Sequence, residues 1–278
     1  MPNRKSQVPN PKTPQRKREG WQGWDQYAPF YDWENARTLG RRDVPFWRRV
    51  ACEARGRVLE LGCGTGRVSL PLTRAGVTVV GIDRSSRMLA RANRRSKSAR
   101  HRRSVGARGH LHLVRGAIRA LPFGSRKFAM VLAPYGVLQS LLRDRDLGAT
   151  LQSVARVLRS GGTFGIDLVP DVPNWREYSN RVQLRGPAAG SVRLTLIESV
   201  RQDRLHRLTT FEQRYIERRG RCTTEHRFDL TFRTLSVRQI TGRLERAGFV
   251  VEAVLGDYRG RRWDERAEVW IILARKQD

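Results

Sequence analysis

Apolar residues follow three rhythms along this chain. From residue 57 to 168, short continuous apolar runs alternate with stretches whose apolar positions lie three and four apart. Such runs suit strands buried on both faces, and the three-and-four spacing suits the helices that cover them. Strands are predicted at 57–62, 77–82, 111–114, 128–133 and 163–168. Helices are predicted at about 66–75, after Asp83 with Ser85 or Ser86 as N-cap, and at about 144–158. The last of these carries Leu147, Leu151, Val154, Ala155 and Leu158 on one face, and Gly161-Gly162 is expected to end it as a left-handed cap.

From 181 to 233 the period changes to two. Segments 181–186, 191–201, 204–217 and 221–233 alternate apolar and polar residues, with Gly- or Asp-containing turns between them. Leu194 and Leu196 face one way, Arg193 and Thr195 the other. This predicts an antiparallel sheet inserted in a parallel fold. Ser236 and Gln239 then form a capping-box start. Its helix turns Val237, Ile240, Leu244 and Ala247 inward, and strands follow at 249–256 and 267–275. Ahead of the core, 21–33 is dense in aromatic residues, and Asp43 to Trp47 opens a helix with Pro45 in its first turn. Five segments result: a basic tail at 1–20 too poor in apolar residues to pack, an aromatic and helical cap at 21–56, a core at 57–170, a lid at 171–234, and a final helix and strands at 235–278.

The chemistry concentrates where the first strand ends. Glu60-x-Gly62-x-Gly64-x-Gly66 runs from strand through a glycine turn into a helix, and Gly81-Ile82-Asp83 closes the next strand. Glycine lets a ligand approach the backbone, and an acid ending the second strand is placed to bond ribose hydroxyls. A nicotinamide-binding unit wants G-x-G-x-x-G, which fits this spacing less well and leaves Glu60 without a role.

This pattern resembles the class I S-adenosylmethionine-dependent methyltransferases, small-molecule type, whose first motif is E/D-x-G-x-G-x-G. The resemblance implies a Rossmann-like, doubly wound α/β fold. Its mostly parallel seven-stranded sheet would end in a C-terminal antiparallel hairpin, with the inserted sheet as a lid. It implies S-adenosylmethionine as cofactor. It places Glu60, Gly62, Cys63, Gly64 and Gly66 around the methionine end, and Asp83 on the ribose. Arg84, Met88, Ala117 and Ile118 fall at the adenine, and Ala133 and Tyr135 beside the transferable methyl. One of Tyr27 and Tyr31, four residues apart, would cover the site from the aromatic segment. The chain departs from the family at Ala117 and Ala129, where an acid is common; the first would accept from the adenine amino group. No catalytic residue and no metal ligand is singled out. His206, His226, Trp175 and Tyr178 are candidates for the acceptor side, with surface or anchoring roles as the alternative.

Composition adds a second theme. The formal net charge is +29, and only six of the 55 basic residues are lysine. Such a field attracts nucleic acid, but arginine spread through nearly every element equally fits a compositional bias. Arg84, Arg87, Arg91 and Arg94 or Arg95 form a stripe on one helix, either solvated or phosphate-binding. Residues 96–110 read as a flexible basic loop. Cys52, Cys63 and Cys222 are odd in number and far apart, which suggests a reducing, cytoplasmic setting. No apolar run is long enough to span a bilayer, so no membrane partner is expected. The expected activity is methyl transfer to N or O of a small molecule. RNA- or protein-directed methylation, or a degenerate cofactor-binding protein, are the alternatives.

Overall fold

The computed structural model describes residues 23–38, 42–100, 109–169, 177–267 and 269–278. The basic tail and Trp175 therefore lie outside the described residues. Two helices come first, α1 (Trp24–Asn35) and α2 (Val44–Glu53). The alternating core follows: β1 (Val58–Leu61), α3 (Ser69–Arg74), β2 (Val79–Asp83), α4 (Ser86–Arg100), β3 (Leu111–Arg115), β4 (Phe128–Ala133), α5 (Asp144–Val157) and β5 (Leu158–Leu168). A 3-10 turn, Val137–Ser140, follows β4. Four long strands come next, β6 (Tyr178–Pro187), β7 (Val192–Asp203), β8 (Leu208–Arg219) and β9 (Cys222–Arg233), and then α6 (Val237–Arg246), β10 (Phe249–Leu255) and β11 (Trp270–Lys276).

The first sheet has seven strands in the order β10-β11-β5-β4-β1-β2-β3, and the second has four in the order β6-β7-β8-β9. Pairing is parallel from β5 through β3 and antiparallel where β11 meets β5 and β10. The α/β, Rossmann-like fold with an antiparallel hairpin and a separate antiparallel sheet is as expected. β4 is buried at every position because helices cover both faces. On one face, α5 and α6 contribute Leu147, Leu151, Val154, Ile240 and Leu244; on the other, α2 and α3 contribute Phe46, Trp47, Ala51 and Leu72. Trp47 lies so close to Gly165 of β5 that a Cβ there would sit 2.8 Å from the indole ring.

Two local expectations need correction. The Gly161-Gly162 pair does not cap α5. That helix ends at Val157, and the chain passes directly into β5 with Gly161 in a left-handed conformation (φ +68) inside the strand. The pairing with β4 slips in register there, between Phe128 and Met130, so these glycines serve a bulge. The basic loop expected from residue 96 starts later, because α4 continues to Arg100. Ser85 is the N-cap of α4, its hydroxyl accepting from the Met88 amide at 3.1 Å. The capping box of α6 forms as read, with Ser236 and Gln239 bonded reciprocally.

Candidate active site

β1 lies between β4 and β2, so the strand order reverses there and a crevice opens beyond the strand ends. The glycine turn fills that crevice. Gly62, Gly64 and Gly66 all have positive φ, at +60, +52 and +78. A Cβ on Gly62 would meet Val137 at 2.4 Å, whereas one on Gly64 would meet only the Gly62 carbonyl, at 3.9 Å. Gly62 is thus required by packing and Gly64 by backbone conformation. The Gly64 amide donates to Asp83 Oδ2 at 2.8 Å, and the Ser85 amide donates to Asp83 Oδ1 at 2.8 Å. Both carboxylate oxygens of Asp83 are thereby aimed by backbone. Burial raises its pKa, and these amide bonds oppose the rise.

A cavity of about 530 Å³ extends from this turn, a volume suited to a nucleoside-sized ligand. Of the residues singled out in the sequence, Gly62, Gly64, Asp83, Arg84, Met88, Ala117, Ile118, Tyr31 and Tyr135 line it. Tyr135 adopts φ +63 just past β4, a strained conformation for a residue of its size. Other lining residues lacked a sequence signal: Trp24 and Asp25 of α1, Arg115 and Arg119 after β2's neighbour strand, Ser140 to Arg143, Asp146 of α5, and Phe232 of β9.

The remaining singled-out residues sit behind the wall. Glu60 is buried and accepts a hydrogen bond from the Ser69 hydroxyl; burial pushes its carboxyl up to about 7. Cys63 is packed beneath Gly81, and burial pushes its thiol up. Gly66 packs on Leu70, and Ala133 is fully buried in the core. Tyr27 turns away from the cavity and donates to Glu34, so of the two tyrosines it is Tyr31 that reaches the wall. His206 is bound to Asp203 in an exposed turn, His226 stacks near Phe30 and approaches Glu217, and Tyr178 donates to Glu198. None of these three lines the cavity.

Helix α1 straps the turn in place. Asp25 accepts from the Ser85 hydroxyl (2.6 Å) and the Arg87 amide (3.2 Å), and Asp32 accepts from the Thr65 hydroxyl (2.6 Å). Asp32 also binds Arg91 and Arg95, and Arg95 reaches the Thr65 carbonyl at 3.1 Å. Part of the basic stripe on α4 is therefore neither a solvated face nor a phosphate site; it clamps α1. Arg67, at the end of the glycine turn, is buried and held by both oxygens of Asp43 at 2.5 and 2.7 Å. Its guanidinium lies 5.0 Å over the Tyr135 ring. Burial pushes the Tyr31 hydroxyl up to about 12, with Arg67 acting against that rise. Beside it Asp167 accepts from the Gly136 amide (3.0 Å) and the Tyr258 hydroxyl (2.9 Å), and burial pushes it up to about 6.

Comparison with known proteins bears on this arrangement. Residues 58–162 match a family model described as a methyltransferase domain. The chain is 30% identical over 169 residues to a demethylmenaquinone methyltransferase of Paenarthrobacter aurescens, covering 58% of this chain and 60% of that one. It spans about half the length of the curated relatives it matches. An S-adenosylmethionine-dependent methyltransferase from Clostridium acetobutylicum superposes with a TM-score of 0.73 at 17% identity, over 91% of this chain and all of that one. The sugar N-methyltransferase KedS8 from a Streptoalloteichus species superposes with 0.70 at 15% identity, over 100% and 99%. At these identities the structures establish a shared fold. Over residues 58–162 the chain carries a methyltransferase domain, on a fold shared with S-adenosylmethionine-dependent methyltransferases.

Proposed function

We propose that this chain transfers a methyl group from S-adenosylmethionine to a nitrogen or oxygen of a small molecule. The observation that carries the reading is one cavity walled by the Gly62 and Gly64 backbone, the fixed carboxylate of Asp83 and the rings of Tyr31 and Tyr135. When bound, the cofactor supplies a methyl group on a sulfonium that is its own leaving group. The protein then has to align, desolvate and hold. The glycine turn admits the methionine end, and Asp83 accepts from ribose hydroxyls. Met88, Ala117 and Ile118 line the base. Glu60 lies just under the turn, where its charge favours a cationic ligand. Tyr31, Tyr135, Val137 and Phe232 wall the methyl end and exclude water.

Nitrogen is the better-supported acceptor atom. A hydroxyl acceptor needs a general base; among the described residues no histidine lines the cavity, and its acids Asp25, Asp83 and Asp146 are bonded to Ser85, to the Gly64 amide and to Arg119. A neutral amine needs no base. The sugar N-methyltransferase among the structural neighbours supports the same choice. Among the described residues no helix is long and apolar enough to cross a membrane, and three free cysteines fit a reducing, cytoplasmic setting. The high positive charge keeps one other reading open, an RNA- or protein-directed enzyme.

Titration calorimetry with S-adenosylmethionine tests the proposal. Saturable binding is expected in the wild type, with at least tenfold weakening in Asp83→Ala, because two ribose hydrogen bonds to a charged group are lost. No binding at millimolar cofactor, or an unchanged affinity in Asp83→Ala, would end it. Filter retention of RNA at physiological salt would favour the second reading.

A further inference from the structure

The cavity has three acids on its wall, Asp25, Asp83 and Asp146. Asp25 is committed to the start of α4 through Ser85 and Arg87, and Asp83 faces the ribose in the reading above. Asp146 lies in the first turn of α5. The chain leading into that turn lines the cavity with Ser140, Leu141, Leu142 and Arg143, and Arg119 lines it as well. Asp146 Oδ1 accepts from Arg119 at 3.2 Å, and its side chain is 13% exposed. Among the described residues Oδ2 accepts no hydrogen bond. The hydroxyl of nearby Ser140 donates to the Val137 carbonyl at 2.7 Å, so its proton is already committed.

A cofactor whose methionine end lies on Gly62 and Gly64 and whose ribose lies on Asp83 places its base along Met88, Ala117 and Ile118, beside Arg119 and its partner Asp146. The base carries an exocyclic amino group, a donor that needs an acceptor once it leaves water. At Ala117 the chain offers a methyl group. Beside it, paired with Arg119, it offers the Asp146 carboxylate, whose Oδ2 accepts no hydrogen bond among the described residues.

We infer that Asp146 is the acceptor for the adenine amino group, so that a helix residue supplies the recognition that the Gly116-Ala117 corner lacks. The inference rests on the cofactor reading above. Asp146 is then a specificity-determining residue. It favours a base that presents an amino group and repels one that presents a carbonyl oxygen at the same place. The Arg119 ion pair holds the carboxylate in position.

The test compares two probes, S-adenosylhomocysteine and its deaminated analogue S-inosylhomocysteine, by titration calorimetry. The wild type should prefer the adenosyl compound by about ten- to hundredfold, the usual worth of a hydrogen bond to a charged group. Asp146→Asn, and independently Asp146→Ser, should bring the ratio close to one. Arg119→Gln breaks the ion pair but leaves the carboxylate, so it should keep most of the preference. Adding Ala117→Asp to Asp146→Asn should restore it. A wild type that binds both probes equally overturns the inference while leaving the cofactor reading intact. So does an Asp146→Asn variant that keeps the full ratio, or an Arg119→Gln variant that loses it as Asp146→Asn does. A wild type that binds neither probe overturns the cofactor reading and this inference together. Circular dichroism on each variant separates lost recognition from lost fold.

Discussion

Polar groups under the glycine turn and polar groups under the antiparallel sheet are satisfied in different ways. At the turn, two of the carboxylates take backbone amides. Asp83 takes Gly64 and Ser85, and Asp167 takes Gly136. Beneath the inserted sheet, side chains hold one another. Glu34 of α1 accepts from the hydroxyls of Tyr27 and Tyr215 and from Gln213 at 3.3 Å, while Gln213 also donates to Glu198 at 2.8 Å. Glu198 takes the Tyr178 hydroxyl as well. Backbone donors come with the turn and survive most substitutions. Side-chain donors depend on each partner being present. The first arrangement suits a site whose geometry must not vary. The second fastens one sheet to one helix and leaves room for the lid to change.

Arg67 is the main exception at the turn, because its partner is the side chain of Asp43, fully buried. Removing one member of a buried pair strands the other charge, which typically costs about 3–5 kcal/mol. Arg67→Ala should lower urea stability by that amount, the largest effect expected here. It should also free the Tyr135 ring and weaken cofactor binding. If Arg67→Ala unfolds at the wild-type urea midpoint, the pair is not a support of the site and the contrast between the two regions loses its main exception.

The same distinction sets what could be read from the sequence. Asp83 and its donors lie 19 and two residues apart, and their turn and strand pattern is local, so the glycine turn and the acid that closes the next strand were legible. The capping box of α6 spans three residues and was legible for the same reason. Glu34 meets Gln213 and Tyr215 across 179 and 181 residues, a meeting that only the packed fold creates. Asp146 likewise reaches the cavity because α5 packs beside the end of β3's loop, and its local signature is that of an ordinary acid in a first helical turn. The Gly161-Gly162 pair misled because a helix cap and a strand bulge ask for the same left-handed glycine. Tyr27 and Tyr31 share a helix face in sequence, yet the cavity and the lid divide them, and only packing decides which ring goes where.

Acidity gives the second way to sharpen the comparison. Burial raises Glu60 to about 7 and Asp167 to about 6, and it raises Glu34 and Asp83 as well. The ordinary values for the Glu60 and Asp167 carboxyls are 4.5 and 3.8. Between those values and the folded ones the unfolded chain has lost protons that the folded chain still holds. Stability is therefore full below about pH 4 for these groups and falls as pH rises through 6 to 7, by on the order of 2 kcal/mol or more. Urea midpoints measured from pH 4.5 to 8 should decline across that window, and Glu60→Gln should flatten much of the decline. A midpoint that rises steadily from pH 5 to 7 would contradict the buried acids on both sides of the comparison. A cationic ligand favours the ionised acids, so its affinity should increase over the same range.

Tyr215→Phe makes the smallest and most selective cut. It removes one hydroxyl donor from Glu34 and leaves Tyr27 and Gln213 in place. The ring stays stacked on Phe30 at 4.5 Å, so packing is kept. A loss of about 1–2 kcal/mol in stability is expected from one hydrogen bond to a buried carboxylate. Tyr215 does not line the cavity, so the cofactor affinity should match the wild type within twofold. Tyr31→Phe is the matched change on the cavity side of the same helix. It should shift cofactor binding, since the Tyr31 side chain lines the cavity and its hydroxyl interacts with Arg67. Calorimetry and urea titration on the two variants would therefore separate the faces of α1. If Tyr215→Phe weakened the cofactor as much as Tyr31→Phe, the helix would be passing strain from lid to site, and the two regions would have to be treated as one coupled unit.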